Sequence, residues 1–242
     1  MGLFVNIKKE ILKNNTVVFT SDDYKICWDS LLLANFIKAN DKDIILELGT
    51  GCGIIPLWLS DRGYIGSFTG IDIIAEAVEL FQKGIEKNKI RQYRAVCCDM
   101  KNYTESKKYS AVVSNPPYFD VNINDTKIDN RSVIRSEVLG SLKEASRTAS
   151  RNLVEGGRFY FCYPAAKTET AVLTVNMFGF AIKRLQFVKN RMGEAPWLAI
   201  FEARYRGGSG IEFERDLVIY ESDGFSAEFK DIIAEGDCDD KR

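Results

Sequence analysis

Histidine is missing: none of the 242 residues is one. That removes the commonest metal ligand and the usual general base from any chemistry near neutral pH. The six cysteines (Cys27, Cys52, Cys97, Cys98, Cys162, Cys238) form no C-x-x-C pair. Several lie in apolar runs, as reduced buried thiols of a cytoplasmic protein do, so no structural zinc or other metal is expected. No apolar run has the roughly 20 residues that span a bilayer, and the N-terminal MGLFVNIKKE lacks a signal-peptide core, so no membrane partner is expected. A net charge of −1 and a pI near 5.8 give no global field for a polyanion, and any nucleic-acid contact must come from a local patch.

What the chain does have begins at Ile44. The apolar run Ile44, Ile45, Leu46, Leu48 reads as a buried parallel strand, glycines then alternate, and from Ile54 the apolar spacing turns helical. Gly49, Gly51 and Gly53 leave out side chains where the backbone turns sharply, so a ligand can approach the main chain and the first N–H groups of the helix. The order is G-x-G-x-G, with Ile54 where the dinucleotide fingerprint G-x-G-x-x-G has its third glycine. A diphosphate needs the longer cradle; S-adenosylmethionine needs close backbone contact and a carboxylate for its amino group. Glu47 either orients that amino group or holds the loop.

A second strand, Phe68 to Ile73, carries Asp72 about 20 residues past the loop, where a ribose-binding carboxylate belongs. Asp72 also suits the N-cap of a helix from Ala75 to Asn88, and the two roles are compatible. A third strand ends at Val96 to Asp99, and Asp99 is placed to accept from an adenine amino group or to close a surface turn. Tyr109 to Val113 is the fourth strand. This alternation predicts an α/β fold with a parallel sheet and helices on both faces, its ligands at the carboxyl ends of the strands.

Ser114-Asn115-Pro116-Pro117-Tyr118 follows at such an end. Consecutive prolines fix φ and restrict the residue before each, and Pro117 has no N–H to compete for nearby carbonyls. A planar exocyclic NH2 would donate to the Asn115 side-chain oxygen and to the Pro116 carbonyl, with Tyr118 stacked on its ring. Two stiff acceptors favour a pyramidal nitrogen whose lone pair points at an electrophilic methyl, chemistry that asks for positioning and no histidine.

ELGTGCGIIPLWL, GIDI, CCDM and SNPPYF, in this order, resemble class I S-adenosylmethionine-dependent methyltransferases of the NPPY type. The run from Lys25-Ile26-Cys27-Trp28-Asp29-Ser30 to KRLQFV (Lys183 to Val188) is similar, more narrowly, to the bacterial valine-tRNA adenine-N6 methyltransferases, which modify the adenosine beside the anticodon. The resemblance implies a Rossmann-like, mostly parallel seven-stranded sheet with an antiparallel terminal hairpin. It implies one domain: an extension and covering helix (1–40), a catalytic core (41–205) and a C-terminal tail (206–242). The cofactor set becomes Glu47, Gly49, Gly51, Gly53, Asp72, Ile73, Asp99, Met100 and Asn115, and the amine site Asn115, Pro116, Pro117 and Tyr118. The partner is tRNA. One departure concerns Ile134-Arg135-Ser136-Glu137, where the family often shows Ala-Arg-His-Glu; Arg135 and Glu137 either help place substrate or form a local ion pair or helix start.

In the remaining chain, Asp29 is predicted to cap a helix through Ile37, with an extended pair before it around Ser21-Asp22-Asp23. The segment Lys25-Ile26-Cys27-Trp28-Asp29-Ser30 either forms a lid over the cofactor or supplies Trp28 to core packing. Phe119 to Arg131 reads as a flexible loop that orders over RNA. Ser136 to Ser150 reads as a helix, Gly156-Gly157 as a turn, and Arg158 to Tyr163 as the fifth strand. Phe180 to Lys189 and Trp197 to Tyr205 form the closing hairpin, whose Lys183, Arg184, Lys189, Arg191, Arg204 and Arg206, interleaved with Phe187 and Trp197, suit a phosphate backbone or an ordinary solvated face. Glutamine-N5 methylation of a protein, rRNA base methylation and a non-catalytic RNA-binding module are the competing readings. Few residues precede Ile44 to supply the helical domain usual in the first, and an intact NPPY corner argues against the last.

Overall fold

The computed structural model describes residues 6–105, 109–116, 142–222 and 224–233. Its centre is strand β3 (Ile44–Leu48), flanked by β4 (Ser67–Asp72) on one side and β6 (Tyr109–Ser114) on the other, both parallel to it. Strand β5 (Tyr93–Cys97) lies outside β4 and β7 (Leu153–Pro164) outside β6. Strands β8 (Phe180–Lys189) and β9 (Leu198–Tyr205) complete the far side, β9 antiparallel to both β7 and β8. The expected seven strands are all present. Two short pieces, β10 (Glu212–Phe213) and β11 (Leu217–Val218), add to the outer edge of β8 in parallel, so the sheet has nine strands.

Alternation along each strand divides the core into two layers. Ile45, Ala111, Val113, Tyr160 and Cys162 face helices α1 (Trp28–Phe36), α2 (Ile54–Asp61) and α3 (Ala75–Lys87). Leu46, Leu48, Val112, Phe159 and Phe161 face α4 (Leu142–Asn152) and α5 (Thr168–Asn176). Strand β3 is buried on both faces, which is why it reads as an apolar run interrupted only by Glu47. Helix α3 shows the complementary pattern: Ala77, Leu80, Phe81, Gly84 and Ile85 are buried at helical spacing. Of these, Leu80, Phe81 and Ile85 contribute about 1.5–3 kcal/mol each on burial.

Three expectations need correction. The N-terminal hairpin pairs β1 (Lys8–Ile11) with β2 (Val17–Thr20), not the two sides of Ser21-Asp22-Asp23. Its loop is held by the Asp61 carboxylate, which accepts from the N–H groups of Asn14 and Thr16 at 3.0–3.1 Å, and Asn15 takes the left-handed φ of 72°. Gly156-Gly157 lies inside β7, where the register to β6 shifts between Leu153 and Arg158, so the glycines make a bulge and no turn. The residue at the N-cap of α1 is Cys27, and Asp29 falls in its first turn.

The C-terminal segment, through residue 233, is packed rather than loose. A short hairpin, β12 (Tyr220–Glu221) with β13 (Gly224–Phe225), leads into α6 (Ala227–Ile232), capped by Ser226 Oγ accepting from the Phe229 N–H at 3.1 Å. Trp28 packs edge-on against Phe229, Phe225 and Tyr220 with centroids 5.0, 5.7 and 6.4 Å away. Trp58 Nε1 donates to the Ile232 carbonyl at 3.0 Å. Trp28 is thus a packing residue that joins α1 to the chain end. Among the described residues, no helix is long and apolar enough to cross a membrane.

Candidate active site

The glycine turn links β3 to α2, with Gly49, Gly51 and Gly53 at φ 79°, 54° and 77°. Those angles suit glycine, but the three positions serve different ends. A Cβ on Gly49 would meet nothing within 4 Å, and one on Gly51 only Tyr24 Cδ1 at 3.9 Å. A Cβ on Gly53 would stand 2.0 Å from Phe81 Cδ2. The first two therefore line open space and the third seats α3 against the turn. The N–H groups of Gly49 and Thr50 both donate to the Ile71 carbonyl at 2.9 Å, fixing the turn on the end of β4.

Asp72 ends β4 with both carboxylate oxygens engaged: Oδ2 accepts from the Gly51 N–H and Oδ1 from the Ile74 N–H, both at 3.0 Å. Burial raises its pKa against the lowering effect of these N–H groups. Ile74 is the N-cap of α3, so Asp72 supports the helix entry from two residues upstream. Ile73 follows it, half-buried. Glu47 points into the α1 layer, where Thr50 Oγ1 donates to its Oε2 at 2.5 Å. Burial pushes its pKa well up, opposed by the Thr50 hydrogen bond and reinforced by Asp72. Of its two expected roles, this geometry serves loop-holding. Asp99 caps a short 3-10 turn (Met100–Asn102) by accepting from the Lys101 N–H at 2.9 Å, and the Met100 carbonyl accepts from Thr148 Oγ1.

Asn115 and Pro116 follow directly on β6. Leu48 and Ser114 are in register, and Ser114 Oγ donates to the Leu48 carbonyl at 3.0 Å, so the glycine turn and the Asn-Pro corner leave adjacent strands at one level. Asn115 Nδ2 donates to Ser30 Oγ at 3.0 Å, and the Cys162 thiol donates to Asn115 Oδ1 at 3.2 Å. Solvent reaches Cys27, 3.8 Å from the same Nδ2. Yet burial among neighbouring atoms, then Asp29, raises its pKa, as on a crevice wall. Sequence reasoning reached Ser30 only as one end of a candidate lid segment and missed Thr50 and Cys162; only the alternation of β7 hinted that Cys162 faces the same layer as Tyr160. Pro117, Tyr118, Arg135, Glu137 and the expected loop 119–131 lie outside the described residues.

The basic set separates by position. Strand β8 runs parallel to β7, so Lys189 and Arg191 emerge at the same sheet edge as Asn115, while Lys183 and Arg184 lie further back. Lys189 pairs with Asp216 at 2.6 Å. Arg191 is exposed, donates to the Glu221 carbonyl and lies 5.5 Å from the Tyr220 ring. Lys183 Nζ donates to the carbonyls of Gly208 and Ser209. Arg184 is the clear exception to a phosphate-contacting role: it is buried, bonded to Glu202 and Glu214 at 2.8 Å each, and 4.1 Å over the Phe36 ring. Such a guanidinium is consumed inside the protein. Among the described residues there is no group of three or more His, Cys, Asp or Glu side chains able to hold a metal ion.

Comparison with known proteins agrees with this geometry. The methyltransferase small domain matches residues 9–162. A tRNA1(Val) (adenine(37)-N6)-methyltransferase of Flavobacteriaceae bacterium (strain 3519-10) is 30% identical over 212 residues, 86% of this chain and 88% of its own. The protein of the same name from Dyadobacter fermentans is 22% identical over 216 residues, again covering 86% and 88%. Among solved structures, a predicted O-methyltransferase from Agrobacterium tumefaciens superposes with a TM-score of 0.67 at 18% identity, covering 84% of this chain and 94% of that one. The 16S rRNA N2 methyltransferase of T. thermophilus, solved with AdoMet and guanosine, gives 0.57 at 17% identity over 85% and 52%. With the glycine turn and the Asn-Pro corner side by side on a sheet of this order, the chain belongs to the methyltransferase small-domain family.

Proposed function

We propose that the chain transfers the methyl group of S-adenosylmethionine to the exocyclic N6 amine of an adenine in tRNA, the adenine beside the anticodon of a valine tRNA by analogy with its relatives' names. One observation carries the reading: Leu48 and Ser114 pair in register, so the residues that follow them, the glycine turn and Asn115-Pro116, are neighbours. The open space at Gly49 and Gly51 fits a donor without phosphates. Asp72 would take the ribose hydroxyls on its remaining lone pairs, with Ile73 beside it, and Asp99 and Met100 would border the adenine. When bound, the sulfonium supplies an electrophilic methyl. The chain supplies alignment: Asn115 Oδ1 and the Pro116 carbonyl would accept from the target amine and turn its lone pair toward that carbon, and Pro117 and Tyr118 are assigned to the same amine site on sequence alone. The target base swings out of its stack to reach them. Lys189 and Arg191, at the same edge, and Arg135 would meet tRNA phosphates, and the reaction belongs to the cytoplasm.

The test is methyl incorporation into tRNA by Asn115→Ala, followed by mass analysis of the nucleosides. Transfer should be lost while donor binding stays within about threefold, since the loss falls on orientation rather than on the donor cradle. Undiminished turnover, or methyl label in protein glutamine instead of tRNA adenosine, would overturn the reading.

A further inference from the structure

Both ends of the Asn115 carboxamide are engaged by side chains remote in sequence. Ser30, 85 positions away on α1, accepts from Nδ2 at 3.0 Å; Cys162, 47 positions away near the end of β7, donates to Oδ1 at 3.2 Å. Ser30 and Cys162 are buried, on a helix and a strand that meet on one face of the sheet. Cys27 Sγ lies 3.1 Å from Ser30 Oγ, a contact in which either atom can donate, and the Ser30 oxygen has a lone pair for the Asn115 N–H in both cases.

A carboxamide is nearly symmetric in shape, and its terminal torsion is broad and roughly twofold. A half-turn would exchange the oxygen for NH2 at little steric cost, but the chemical cost is large: NH2 set against the hydrogens of an amine opposes donor to donor. The half-turn would also set NH2 against the Cys162 thiol proton and lose the bond to Ser30. We propose that Ser30 and Cys162 are positioning residues that fix the rotation of the Asn115 carboxamide and so hold its oxygen toward the acceptor amine. The inference rests on Asn115 being the amine site. Neither residue touches substrate; each acts through Asn115.

Four variants test it: Ser30→Ala, Cys162→Ala, Cys162→Ser and the reference Asn115→Ala. The readouts are kcat and KM for tRNA at saturating donor, donor Kd by calorimetry, and the thermal midpoint. Ser30→Ala and Cys162→Ala should lower kcat about fivefold or more, the scale of one lost neutral hydrogen bond. KM and donor Kd should stay within about twofold, because neither binding surface changes. Cys162→Ser keeps a donor of similar size and should return kcat to within about threefold of the parent. Cys162→Ser as slow as Cys162→Ala would show that a donor at this position does not restore the rate and would count against the role of Cys162, and wild-type kcat in both alanine variants would overturn the proposal outright. If Cys162→Ala melts below the assay temperature, Ser30→Ala decides alone: lost kcat sustains the clamp and retained kcat removes it. Full activity in Asn115→Ala would defeat the amine-site assignment itself. An inactive Asn115→Ala beside normal Ser30→Ala and Cys162→Ala would defeat only the clamp.

Discussion

The glycine turn permits a prediction in which two similar substitutions separate. Gly53→Ala places a methyl 2.0 Å from Phe81 Cδ2, on a ring that is fully buried, at a φ of 77°. The left-handed backbone costs an alanine roughly 1–2 kcal/mol, and forcing an extra carbon into a packed core costs about 1–3 kcal/mol more. The sum, about 2–5 kcal/mol, is a large share of a typical 5–15 kcal/mol stability. At about 2–4 °C per kcal/mol for a domain of this size, the midpoint should fall by roughly 4–20 °C. Gly49→Ala, at φ 79° with nothing within 4 Å, carries only the backbone cost, roughly 1–2 kcal/mol. Its methyl instead projects into the space assigned to the donor, so S-adenosylmethionine affinity should drop about tenfold or more, the equivalent of 1.4 kcal/mol. Thermal melts and calorimetric titration of both variants are sufficient. A Gly53→Ala protein as stable as Gly49→Ala, or a Gly49→Ala protein that binds donor like the parent, would refute the division of labour among these glycines.

Removing the buried guanidinium should be costly: Arg184→Ala leaves buried Glu202 with only the longer contact to Arg204 at 3.9 Å and should lose about 3–5 kcal/mol, with Arg184→Met/Glu202→Leu recovering much of it in urea melts. Glu47 gives a pH signature in the donor-free protein. Its folded pKa lies above the unfolded value, so the folded state binds the extra proton and stability falls as pH rises from about 4.5, the ordinary carboxyl range, through the raised value. Glu47→Gln should therefore gain on the parent across that window, and parallel curves in urea melts between acid and neutral pH would reject the assignment. Arg191→Ala should weaken tRNA binding and reduce the salt slope by about one ion, while Arg184→Met should leave the slope unchanged because that guanidinium meets no phosphate.

The portions of the molecule that were legible in the sequence are those whose determinants are local. The strand, turn and helix from Ile44 to Asp61 follow from an apolar run and three left-handed glycines, and the run from Tyr109 to Pro116 from another such strand and the stiffness of X-Pro. The residues around Asn115 were hidden because Ser30 and Cys162 reach it across the fold, and nothing in their own neighbourhoods distinguishes them from core residues. Arg184 was misread for the same reason: a charge pattern along a strand does not reveal that Glu202 and Glu214 stand opposite. The chain end was undervalued because β10 and β11 are two residues each, too short to show alternation, and take their conformation from the β8 edge.

The aromatic packing of Trp28 against Tyr220, Phe225 and Phe229 has a consequence for the order of synthesis. A nascent chain halted on the ribosome just after β9 would already own its glycine turn and its Asn-Pro corner. The indole that anchors the start of α1, two residues from Ser30, would still lack its three ring neighbours. Translation must pass Phe229 before the indole two residues from Ser30 is seated, so a chain halted earlier carries the reactive groups without that support.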